Sequence, residues 1–222
     1  MTGSPRDAVV TGVGVVTSLG DEKDVFWKNI LAGRSGVSEV TCFNTADYDV
    51  HRGGEVKDFR PEKYGIDPAQ MGRCSQLAVA AAQNALADAG IPNPTNLKIG
   101  VVVGTTIGES QALERIDRLW LDDESLITPG LIEQFPANNI ARSVTKFLNL
   151  RGCSVVITTA CAAGNYCIGY ASDLIRSGEY DIVLAGGAES MSKIAFTGFS
   201  RIFAVAPERC QPFDKNRKGI MV

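Results

Sequence analysis

The chain has 222 residues, 45% of them apolar and 21% charged, with a formal net charge of -3, and this is enough apolar material to bury the core of one substantial domain. So small a net charge supplies neither a basic footprint for nucleic acid nor an acidic interaction tail. No apolar run approaches the roughly 20 residues that a bilayer span needs, and Met1–Asp7 lacks an apolar signal core, so a cytoplasmic location with no membrane or nucleic-acid partner is expected.

In chain order, Ala8 to Val16 is the first apolar, β-branched run and reads as a strand. Its Gly12-Val13-Gly14 does not make a dinucleotide loop: the third glycine of G-x-G-x-x-G would fall at Thr17, and nothing marks a ribose-binding acid. Asp24 to Leu31 places Phe26 and Ile30 one turn apart and stops at Gly33, as a helix does. Residues 34–63 mix Gly, Asp, Asn and aromatics without period and read as a surface loop. His51, the single histidine, lies in that loop and reads as a solvated side chain. Ser75 to Ala89 is an alanine-rich helix closed by Gly90 and Pro92.

Lys98 to Thr105, Ser154 to Thr159 and Asp181 to Gly186 read as further strands, nearly continuous in apolar residues as in a sheet covered on both faces. Between the first two, Leu113, Ile116, Leu119 and Trp120 mark one amphipathic helix, and Ile140, Val144, Phe147 and Leu148 mark another. Asn138-Asn139 read as the cap of the latter. Met191 to Lys218 is irregular, and Lys218 to Val222 reads as a strand beginning. This alternation predicts an α/β fold with a mainly parallel sheet flanked by helices.

Cys42, Cys74, Cys153, Cys161, Cys167 and Cys210 fall at irregular separations without a C-x-x-C pair, so neither zinc nor a disulfide framework is expected. Cys153 and Cys167 read as small core residues. Cys161 differs. It sits where the strand ending at Thr159 runs into a small-residue helix, a position whose free amides and helix dipole favour thiolate. Cys161 is the candidate nucleophile. Glu189 ends the last strand and reads as a loop-holding hydrogen-bond acceptor without a catalytic role.

The segment Thr158 to Glu189 resembles the active-site region of β-ketoacyl-acyl-carrier-protein synthases, the condensing enzymes of fatty acid and polyketide assembly. Ala8 to Gly20, Phe26-Trp27, Gly33 to Val37, Val103 to Gly108, Leu150 to Gly152 and Gln211 to Gly219 resemble the same family, in order, over the whole chain. They match its N-terminal half, so residues 1–222 are expected to form half of a thiolase-like layered fold.

The resemblance implies decarboxylative Claisen condensation, in which an acyl group passes from acyl carrier protein to Cys161 and a malonyl-carrier thioester then attacks it. No cofactor is implied, because phosphopantetheine arrives on the carrier. The backbone N–H of Cys161 would be the first oxyanion donor, and Ile107, Phe199 and Phe203 correspond to positions near the acyl chain, with plain core packing an equal alternative. Family members pair through the strand before the nucleophile, so the resemblance implies a homodimer built on Ser154 to Thr159; they also draw two histidines and a lysine from a C-terminal half, which a partner chain is expected to supply. Two other classes remain open: a non-catalytic partner subunit, and a thiolase-type acyltransferase using coenzyme A thioesters.

Overall fold

In the computed structural model, which describes residues 6–222, the elements run α1 (Lys23–Leu31), β1 (Ser38–Glu39), β2 (Arg52–Gly53), α2 (Arg73–Asp88), β3 (Ile99–Gly104), α3 (Ser110–Asp122), α4 (Pro129–Gln134), α5 (Asn139–Phe147), β4 (Ser154–Ile157), α6 (Ala163–Arg176), β5 (Ile182–Gly187) and α7 (Lys193–Arg201). The reading of the first five residues as part of a leaderless terminus lies outside this range. β4, β3 and β5 form a parallel sheet in that order, with Gly104 opposite both Ile157 and Gly187. β1 and β2 pair antiparallel within the 34–63 region.

β3 is buried at all six positions because both of its faces are covered. Ile99, Val101 and Val103 pack with Leu77, Val79 and Leu86 of α2 and Ile140 and Val144 of α5. Val102, pointing the other way, packs with Cys167 and Leu174 of α6 and with Tyr180. Each such aliphatic side chain contributes on the order of 1.5–3 kcal/mol by leaving water. Cys153 and Cys167 lie in or against the second cluster, as core residues do. A third cluster holds Val40, Val50, Phe196 and Val205, with Phe199 and Val222 against it.

Ala8 to Val16 departs from expectation, since no backbone pairing joins it to the sheet among the described residues. Its β-branched side chains supply propensity, but a strand also needs an adjacent edge to bond. The segment lies along α2 instead. A Cβ on Gly14 would come within 1.9 Å of Ala81 O and one on Gly12 within 2.2 Å of Ala85 O, so two residues of chain pass one helical turn. The Val13 N–H donates to Asp88 Oδ2 at 2.9 Å. Val9 and Val10 remain exposed.

Two further expectations change. Asn138 occupies the position before α5 with helical dihedrals and no side-chain cap bond, while the Asn139 amide instead donates to the carbonyl of Glu133. The reading of this pair as caps is therefore corrected, because a residue already helical cannot turn its side chain back on its own first turn. Within the stretch read as irregular, Ser192 caps α7 by accepting from the Ala195 N–H at 3.1 Å.

Candidate active site

The C-terminal ends of three parallel strands meet at one place, where the chain leaves the sheet in loops, and such an edge is where open α/β sheets present reactive groups. The Thr105 N–H donates to Ile157 O at 3.1 Å and the Ala188 N–H to Gly104 O at 2.9 Å, so the segments after β3, β4 and β5 start side by side. Thr105–Glu109, Thr158–Ala162 and Ala188–Met191 build the site.

Cys161 occupies the middle of a single 3-10 turn, Ala160–Ala162, directly before α6. The turn is reached through Ala160 at a φ of 50°, a left-handed conformation that costs a residue bearing a Cβ about 1–2 kcal/mol. No sequence signal marks that strain. The result is a sharp bend, and Cys161 is exposed on it. α6 has no side chain capping its first turn; the Ala162 N–H donates to Thr159 O and the Ala163 N–H to Ala160 O, so the preceding turn caps the helix with its own carbonyls. The bend is seated on glycine: a Cβ on Gly104 would lie 2.5 Å from the Ala163 carbonyl carbon and 2.8 Å from Gly164 N.

Three of the other cysteines, Cys42, Cys74 and Cys167, are set apart by their surroundings. Burial, reinforced by the Glu55 carboxylate, pushes the Cys42 thiol up to about 12. Burial also pushes Cys167 up, and raises Cys74 with help from the Glu109 and Glu189 charges. His51 is exposed at the end of the 45–51 loop, where its Nδ1 meets Thr45 O at 3.1 Å and Thr45 Oγ1 at 3.2 Å. It remains the surface residue that the sequence suggested.

Ile107 is half-buried in the loop after β3, at the same end of the sheet as Cys161. Phe199 is half-buried against the Phe196 cluster. Phe203 is 86% exposed with a φ of 56°, so it contacts no apolar pocket of this chain. Two cavities, of about 420 and 280 Å³, run past Ser18, Arg34 and Lys57 and past Cys42, Arg73 and Glu189. Neither is lined by Cys161, Ile107, Phe199 or Phe203.

Two carboxylates that frame the site have roles the sequence did not show, or showed only in outline. Glu109 is 1% exposed and accepts the N–H groups of Cys74 (3.1 Å) and Ser75 (2.6 Å), capping α2 from across the core. Burial pushes it up, and those two amides and the Ser75 hydroxyl pull it partly back. Glu189 accepts from the Thr105 hydroxyl at 3.0 Å and from the Thr106 N–H, which agrees with its reading as a loop-holding acceptor. Among the described residues no cluster of three or more metal-ligating side chains occurs, and no helix is long and apolar enough to cross a membrane.

Comparison with known proteins bears on this arrangement directly. The family model described as "Beta-ketoacyl synthase, N-terminal domain" matches residues 6–222. The tetracenomycin polyketide synthase ketoacyl synthase alpha subunit of Streptomyces glaucescens is 32% identical over 98% of the chain, and 3-oxoacyl-[acyl-carrier-protein] synthase 2 of Vibrio cholerae is 32% identical over 99%. The chain spans 55% and 56% of those relatives' lengths. Among solved structures, the ishigamide ketosynthase/chain length factor superposes with a TM-score of 0.92 at 37% identity, covering 98% of this chain and 56% of that one. AntDE:AntF, a type II polyketide synthase acyl-carrier protein in complex with its ketosynthase bound to the hexaketide, gives 0.82 at 27% identity, again over 98% of this chain and 56% of that one. The likeness extends over nearly the whole of this chain, and the chain belongs to the β-ketoacyl synthase family through its N-terminal domain.

Proposed function

We propose that this chain is the nucleophile-bearing half of a condensing enzyme that elongates acyl groups held on acyl carrier protein. The observation that carries the reading is an exposed Cys161 on a strained bend before α6, within a family-wide match to β-ketoacyl synthases. The sulfur attacks the carbonyl carbon of the carrier thioester, a C–S bond forms to Cys161, the bond to the phosphopantetheine sulfur breaks, and that sulfur leaves as a thiol after taking a proton. Malonyl thioester then loses carbon dioxide, and the carbon so freed attacks the acyl-Cys161 carbonyl. The C–S bond breaks and the thiol is regenerated. The N–H of Cys161 is the donor proposed for the transient oxyanion.

Phosphopantetheine is substrate here, arriving on the carrier, and no resident cofactor is required. Ile107 is the proposed acyl-chain contact of this chain; Phe199 and Phe203 join it once a second chain or segment covers them. The histidines and lysine that family chemistry uses for decarboxylation would come from such a partner. β4 is one of the two edge strands of the sheet, with Ser154 exposed, and it is the pairing edge proposed for a dimer.

The ishigamide likeness keeps one alternative in view, a partner subunit without its own chemistry. Intact mass after incubation with acyl-carrier protein and, separately, acyl-coenzyme A separates the readings. One acyl adduct from the carrier is the expected result. Adduct from coenzyme A alone would point to a thiolase-type enzyme, and none from either to a non-catalytic partner.

A further inference from the structure

The loop after β3 is fastened in a way that bears on acyl selection, given the proposed acyl-transfer role. Thr105 to Gly108 is a tight turn closed by the Gly108 N–H donating to Thr105 Oγ1 at 2.9 Å, with Gly108 at a φ of 63°. Thr105 is 1% exposed, so its hydroxyl proton must find an acceptor inside the protein. It finds Glu189 Oε1 at 3.0 Å, and the same oxygen accepts the Thr106 N–H. One carboxylate oxygen thereby holds the first half of the turn directly and the second half through a hydroxyl. Ile107 lies between the two fastened ends.

The anchor is itself fixed. Gln111 Nε2 donates to Met191 O at 2.6 Å, and Glu114 Oε1 accepts from the Ile194 N–H at 2.9 Å. The segment after β5 is thus tied to α3 on both sides of the next turn. At the far end of the Ile107 loop, Glu109 is buried and bonded to the α2 amides. The turn has carboxylates at both ends and little freedom between them.

We propose that Glu189 is a positioning residue for acyl-chain selection: through Thr105 and Thr106 it holds the turn so that Ile107 stands as a fixed wall beside Cys161. Charge-assisted bonds of this kind are the stronger class of hydrogen bond. Without the acceptor the buried Thr105 hydroxyl loses its partner, the turn opens, and Ile107 swings. Glu189 touches no reacting atom and acts only through the turn.

The test uses the chain with acyl-carrier donors of short and long chain length, reading the ratio of acylation rates at Cys161 by intact mass. Hydrogen exchange is read on the same proteins over the peptide spanning Gly104 to Ser110. In Glu189→Ala, exchange at the Thr106 and Gly108 amides is expected to rise and the short-to-long ratio to shift by about fivefold or more, the size of coupling seen between contacting groups. Glu189→Gln keeps a carbonyl oxygen for both donors and restores most of the ratio. In an Ile107→Ala background the Glu189→Ala shift should vanish. An unchanged ratio, equal slowing with every donor, a shift that survives Ile107→Ala, or unchanged exchange would each overturn the proposal. If the wild type takes up no acyl group, the acyl-transfer reading itself fails and acyl selection by Ile107 falls with it, while the exchange measurement still decides whether Glu189 holds the turn.

Discussion

Cys42 shows how much a thiol's surroundings decide. The residue as a whole is exposed, yet its sulfur lies partly desolvated beside Glu55 on the wall of the smaller cavity. Both effects disfavour the thiolate, which is the reactive form. With its pKa pushed up to about 12, alkylation of Cys42 by iodoacetamide should rise about tenfold per pH unit from pH 8 to 11, as its thiolate fraction does. A rate that levels off near pH 9 would show that desolvation and Glu55 do not control this sulfur. Cys161 is assigned on other grounds, its exposed place on the bend before α6 and the family match.

At the scale of elements, the bend works because α6 lies against the end of β3. Gly104 makes that contact possible, with the Ala163 carbonyl carbon only 2.5 Å from where a Cβ would stand. Backbone cannot yield as a flexible side chain can, so Gly104→Ala is expected to cost about 1–3 kcal/mol in urea unfolding and to slow acylation of Cys161. A fully stable, fully active Gly104→Ala would mean that the seat of α6 is loose. The α2 cap has its own signature. Burial raises Glu109 above the ordinary carboxylate range, so the folded state holds this proton more tightly than the unfolded one, and the group's contribution is largest at low pH and declines as pH rises through the raised value. The destabilisation caused by Glu109→Ala should therefore be smaller at pH 8 than at pH 4.5. Equal costs at both would remove the case for a raised pKa.

Across the whole molecule, sequence pattern revealed what depends on local chemistry. β3 was legible because burial of both faces demands an unbroken apolar run, and α2 because alanine, leucine and a terminal glycine agree on a helix. Cys161 was legible as a lone thiol between a strand and a small-residue helix. Ala8 to Val16 was misread because hydrophobicity reports burial and propensity, whereas pairing requires a neighbouring edge that composition does not specify. α7 was missed because Gly198 and the serines around it weaken its helical signal, and it is held by the Ser192 cap and by Phe196 in the core. The cap by Glu109 and the reach of Glu189 to Thr105 span 34 to 84 residues of chain, so only the folded structure brings those partners together. The assignment as a whole stands on acyl transfer to one sulfur, and the most direct measurement is localisation of the acyl group after incubation with acyl-carrier protein, comparing wild type with Cys161→Ala. The expected result is one hydroxylamine-labile adduct in the wild type and none in the variant. An adduct that persists in Cys161→Ala would contradict it.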